Sequence, residues 1–234
     1  MAERVGMSRN ISSEYLDAVA DCQLMGKSEI EARDHLNELI GTHISNAVNI
    51  KNTRIILLNT WYRNDPVIQE ECISLCRTAT REDRLPLHWA LLLLAYPVFY
   101  DLTSIIGNIS DFNSEINAKQ IKARIYDKWG ARTTLEHSLT KNLKTLKDMD
   151  VLTPVSRNGI YTIKQQSVSD PHVACVLCAA ILAHSSNGYM TWEGIINHPA
   201  LFPFEIEHVT QADVAASSYL ALERMGDQVV IRRK

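Results

Sequence analysis

The chain has 234 residues, of which 46% are hydrophobic and 22% charged, with a formal net charge of −3, an ordinary balance for a folded globular protein. Sparse glycine (9) and proline (7) argue against collagen-like or long disordered segments. Five cysteines, at 22, 72, 76, 175 and 178, lie mostly within apolar patterns, which points to reduced, buried thiols in a cytoplasmic protein and not to a disulfide framework.

In chain order, MAERVGMSRNISSEY holds no apolar core of signal-peptide length. Ser12 and Ser13 cap a first helix with a stripe of Tyr15, Leu16, Val19, Ala20 and Leu24, ending near Gly26. Ser28 and Glu31 form a capping box that opens a second helix carrying Ile30, Leu36, Leu39 and Ile40, with Gly41 as its stop. Residues 1–50 carry eight acids and four bases, so this end repels phosphate and serves packing. A third helix is expected over 52–62. Asp65-Pro66 starts a fourth, with Val67, Ile68, Cys72, Ile73, Leu75 and Cys76 on its buried face.

Asp83 and Pro86 open a fifth helix running through WALLLLAYPVFY (89–100) towards Ile106. It is apolar around nearly its whole circumference, so other helices should surround it. Twelve apolar residues interrupted by Pro97 fall short of the roughly 20 that a membrane span needs, and no membrane association is expected. His88 and Asp101 flank the run as structural or exposed groups. Residues 107–113 are the expected link out of this helical bundle.

The most informative stretch is 118–164. It reads as one helix, a tight connection, a second long helix and a two-stranded hairpin turned by Asn158-Gly159. In the second helix Leu135, Leu139, Leu143, Leu146 and Met149 share one stripe, while Thr133, His137, Thr140, Lys141 and Lys144 take the opposite face with Lys147 beside them. Residues 117–166 hold ten Lys/Arg against four acids, a net of +6, which leaves −9 for the rest of a −3 chain. A basic island in an acidic protein suggests a polyanion partner for that island alone. The bland alternative is a solvated basic face beside an acidic neighbour.

After the linker QQSVSD comes an apolar helix over 171–185, then a short helix capped by Thr191, a loop, a last helix over 212–225 stopped by Gly226, and a terminal strand, VVIRRK. The order loosely repeats the preceding layout. The last helix, ADVAASSYLALERM, offers no basic face, so packing or partner binding is its expected role. The fold class is therefore mainly α: an N-terminal helical bundle (1–113), a winged helix-turn-helix (114–166) and a C-terminal, mainly helical module resembling a winged helix (167–234).

Catalytic and metal chemistry find little support. Cys175 and Cys178, with His172 and His184 nearby, sit within one apolar helix without the second ligand pair a zinc site needs, and Cys72 and Cys76 have no further ligand close in sequence. No glycine-rich phosphate loop, G-x-S-x-G elbow, H-E-x-x-H or carboxylate pair is present. The expectation is a non-enzymatic protein with no cofactor and no metal. For duplex DNA, Thr133, His137 and Lys141 are candidates for the groove, with Arg132 and Lys144 near the backbone. Lys119 and Lys122 would add phosphate contacts, and Arg157 and Asn158 at the hairpin tip would touch adjacent phosphates or the minor groove. Arginine is nearly absent from the helix face, so modest sequence specificity is expected.

The segment LHWALLLLAYPVFYDL followed by IYDKW and SLTKNLKTLKDMDVLTPV resembles the small BREX phage-defence protein A (BrxA) family, over roughly residues 15–164. That resemblance implies a bundle similar to the antitermination factor NusB joined to a winged helix, binding double-stranded DNA alongside other defence-system proteins. It places Lys141, Lys144, Lys147 and Arg157 where the family's recognition helix and wing meet DNA. Residues 167–234 extend beyond the resemblance. A winged-helix transcription regulator, dimeric on a palindromic operator, and a protein–protein scaffold remain alternatives, and homodimerisation stays open.

Overall fold

The computed structural model describes residues 6–156, 159–206 and 208–234, and the architecture is mainly helical with three small sheets. The bundle begins with α1 (Ser13–Leu24), whose Ser12 hydroxyl accepts from the Tyr15 amide, and α2 (Glu29–His43), opened by the reciprocal Ser28–Glu31 box. α2 runs through Gly41 to an extended Ile44. A glycine costs a helix only about 1 kcal/mol against alanine, less than burial of Leu36 and Ile40 gains. α3 (Ala47–Trp61) starts five residues earlier than position 52, because the Asn46 side chain accepts from the Asn49 amide and caps it. α4 (Pro66–Cys76) follows Asp65, which accepts from the Val67 and Ile68 amides; it buries Ile68, Cys72 and Cys76 but leaves Val67 exposed.

The single fifth helix expected from the sequence is two helices. α5 (Leu85–Ala95) and α6 (Pro97–Ser110) meet at Tyr96, which is extended (φ −135°, ψ 95°), and their axes turn by 119°. Proline pushes its preceding residue out of the helical region and removes a backbone donor, so the chain breaks there. No single described helix is long and apolar enough to cross a membrane. α5 is buried from Leu85 to Leu93, and the Trp89 ring meets Phe99, Phe202 and Phe204 at 4.9, 6.0 and 5.5 Å.

His88 and Asp101 are both buried. The Trp61 indole N–H donates to His88 Nδ1 (3.2 Å), so His88 Nε2 carries the proton and donates to Asp17 (3.2 Å). Arg84 joins the network at Asp17 (3.8 Å) and pairs with Asp21 at 2.7 Å. Burial lowers the His88 pKa.

Beyond α6, β1 (Glu115–Asn117) leads into α7 (Ala118–Trp129) and α8 (Thr133–Asp148), followed by β2 (Leu152–Ser156) and β3 (Ile160–Ile163). The strands form one antiparallel sheet in the order β1-β3-β2 with Ile116 opposite Tyr161 and Thr153 opposite Thr162. β1 adds a third strand to the expected hairpin; three residues are too few for a period-two signal. Gly130, at φ +74°, ends α7.

β4 (Gln166–Ser167) then pairs in parallel with β6 (Phe204–Glu205). Between them lie α9 (Pro171–Leu182), packed on α5, β5 (Tyr189–Thr191), α10 (Trp192–Ile196) and a 3-10 turn (Pro199–Leu201). After β6, the helix expected over 212–225 is only α11 (Gln211–Ala216); residues 220–225 are β7 (Leu220–Met225), paired throughout with β8 (Gln228–Arg233). Ser217 breaks the helix, Gly226 takes the positive φ of the tight turn (+61°), and cross-strand pairing overrides the helical propensity of LALERM. The sheet order β5-β8-β7 repeats β1-β3-β2, and α9–β5–α10–α11–β7–β8 follows the same path as α6–β1–α7–α8–β2–β3.

α6 touches the 3-10 turn closely: a Cβ on Gly107 would lie 2.1 Å from the Pro199 carbonyl oxygen. His198 fastens the same seam. Its Nδ1 accepts from the Ala200 amide (3.1 Å), and its Nε2 therefore donates to the Tyr100 hydroxyl (3.3 Å). Burial lowers its pKa to about 4, helped by the nearby His184.

Gly107→Ala should lower the unfolding free energy by about 1–3 kcal/mol, the range for overpacking a tight contact, read as a lower urea midpoint. His88 and His198 bind a proton more weakly folded than unfolded, so the stability they contribute is complete above the ordinary imidazole pKa of about 6.5 and is lost as pH falls through the folded values. The urea midpoint should therefore decline between pH 6.5 and about 4, where His198 titrates. A flat profile across that window would contradict neutral burial.

Candidate nucleic-acid interface

α8 is the centre of the basic module. Its apolar stripe, Leu135, Leu139, Leu143 and Leu146, is buried, and Met149 caps the same side. A second flank is buried as well, which the sequence reading missed. The non-helical segment 6–12 lies along α8 and is held by its small polar side chains. The Ser138 hydroxyl is 3.1 Å from the carbonyls of Gly6 and Met7, the Asn142 amide donates to the Met7 carbonyl at 3.1 Å, and the Ile11 amide donates to Thr145 Oγ1 at 2.9 Å. At the far end Asn10 donates to Asp148 at 2.7 Å. Ser138, Asn142 and Thr145, spaced four and three apart, form a polar stripe that was the available signal.

Between these flanks α8 leaves an arc of about 160° open, by the 100° step of a helix. Thr133, Glu136, His137, Thr140, Lys141, Lys144 and Asp148 are exposed on it, and Lys147 is half-buried with its ammonium 5.9 Å from the Tyr161 ring centre. Lys119 is exposed in the first turn of α7, beside the Gly159 backbone, whose carbonyl accepts from the Ala118 amide. Lys122 lies one turn on, ion-paired with Glu136 and 5.3 Å from the Tyr126 ring centre. Its hydrogen bond to Glu136 raises the Lys122 pKa and lowers that of Glu136. Arg132 is half-buried at the N-cap of α8. Arg157 and Asn158 lie outside the described residues.

The net charge overstates the free charge. Lys144 pairs with Asp148 (3.1 Å), Lys128 with the buried Asp101 (2.6 Å), and Lys164 with Asp150. Lys119, Arg124 and Lys141 have no ion-pair partner among the described residues. The exposed pairs are labile in water, each contributing about 0–1 kcal/mol, so a phosphate can displace the carboxylate.

Elsewhere, the five cysteines are buried free thiols, and burial raises the pKa of Cys76 and Cys175 to about 12. Among the described residues no group of three or more His, Cys, Asp or Glu is placed to hold a metal. No protein-family model, curated protein or solved structure matches the chain.

Asn142→Ala should remove the bond to Met7 and cost about 1–3 kcal/mol, the range for a lost buried polar partner. The loosened segment should then become cleavable by trypsin at Arg9 before the rest of the chain. Unchanged cleavage would show that side-chain bonds to α8 do not hold it.

Proposed function

We propose that the protein binds duplex DNA, without catalysing a reaction on it, through a winged helix-turn-helix over residues 114–166, from β1 to β3. The observation that carries this reading is the open arc of α8, rigidly held on both flanks and lined by Thr133, His137, Lys141 and Lys144. A helix of this kind fits a major groove, with lysines to phosphates and short polar groups to base edges. Lys119 and Lys122 at the start of α7 supply further cations on the neighbouring element. Arginine contributes no exposed side chain to the α8 arc, so affinity comes mainly from counterion release and sequence preference is modest.

The resemblance to the BrxA family supports a role as an accessory DNA-binding protein of a prokaryotic phage-defence system, in the cytoplasm and beside other defence proteins. A second reading, a scaffold whose helix–hairpin face contacts protein, is favoured by the carboxylates that already engage Lys122, Lys128, Lys144 and Lys164. Salt separates the two.

Titrating a random duplex of about 20 base pairs across a salt series should give a steep log–log dependence. In the Lys141→Glu, Lys144→Glu double variant, affinity at low salt should fall at least about tenfold and the slope should lessen by about one, for the phosphate contact of Lys144. Salt-independent retention, or a variant that binds as well as the parent, would exclude α8 as the DNA reader.

A further inference from the structure

A cleft of about 620 Å³ opens where α6 ends, between the β3–β4 connection and the chain around the 3-10 turn. Its volume falls in the range of small-molecule sites, which favour seams between structural units. Ile163, Ile196, Leu201 and Val209 give it an apolar floor, while Asp111, Gln165, Asn197 and Glu205 give it a polar edge. No lysine or arginine lines it among the described residues.

The edge is electrically one-sided. Asp111 and Glu205 are exposed carboxylates free of ion pairs among the described residues. Asp111 is also the C-cap of the 14-residue α6, where aligned peptide dipoles place partial negative charge. His198, the one imidazole in the wall, has both ring nitrogens engaged by Ala200 and Tyr100. It offers neither a positive charge nor a spare donor at neutral pH.

We propose that this cleft binds a small amphipathic organic cation. Its ammonium or guanidinium would meet the carboxylates of the polar edge, Asp111 and Glu205, and its aliphatic or aromatic body would cover the apolar floor. The site lies outside the α8 arc and does not depend on DNA binding. A ligand there would touch both α6 and the C-terminal unit.

The test is calorimetric titration of the full chain at about 150 mM salt, where long-range surface attraction is screened. Tryptamine and its uncharged counterpart tryptophol share a body and differ in charge. Tryptamine should bind saturably and about two- to fivefold more tightly than tryptophol, the scale of exposed ion pairs. The Asp111→Asn, Glu205→Gln variant should erase that preference while keeping its urea midpoint, because both side chains are exposed. Equal affinity for the two compounds, absence of saturable binding, or an undiminished preference in the variant would overturn the proposal.

Discussion

Everything in the molecule is arranged around the need to cover α5. A helix with apolar residues on every side cannot face water anywhere, and each buried leucine or aromatic side chain favours burial by about 1.5–3 kcal/mol. α1, α3 and α4 belong to the bundle that flanks it, and α9 supplies packing from the far end of the sequence. Trp89 illustrates the joint, since its ring meets Phe99 from the adjoining helix and, over a hundred residues later, Phe202 at the end of the 3-10 turn and Phe204 in β6. The hydrophobic core is consequently continuous from Met7 to Ile231.

The break at Tyr96-Pro97 turns that core helix into a lever for the rest. Because the chain changes direction by 119° there, α6 continues the core along a new axis and packs on α7, β1 and the 3-10 turn. Gly107 permits the last of these contacts, and His198 and Tyr100 hold it. The two sheet-bearing units are thus positioned by one helix.

Much of this was legible in the residues, for local reasons. Ser12, the Ser28–Glu31 box, and Asp65-Pro66 set helix starts through bonds made within three residues, and those starts fall where the sequence places them. Asn46, a weaker cue in a segment without apolar periodicity, was passed over. The α5–α6 break was marked by Pro97, yet the apolar run on both sides suggested continuity. Residues 220–225 misled most, since Leu, Ala, Glu, Arg and Met favour helix while their strand pairing depends on partners at 228–233. For α8, periodicity correctly separated the leucine stripe from the basic face. The buried Ser138, Asn142 and Thr145 could not be assigned a partner, because that partner lies more than 130 residues away. Charge counting likewise could not see which lysines meet acids only in three dimensions, such as Lys128 with Asp101.

The segment along α8 also bears on how the chain is made. Residues 6–12 are made well before the side chains of residues 138–148 that hold them, so this segment stays unmatched until α8 is complete. Sequence separations of that size slow closure of a contact. Until α8 exists, the Met7 carbonyl and the Ile11 amide lack the side chains that satisfy them, and its completion is the event that supplies both.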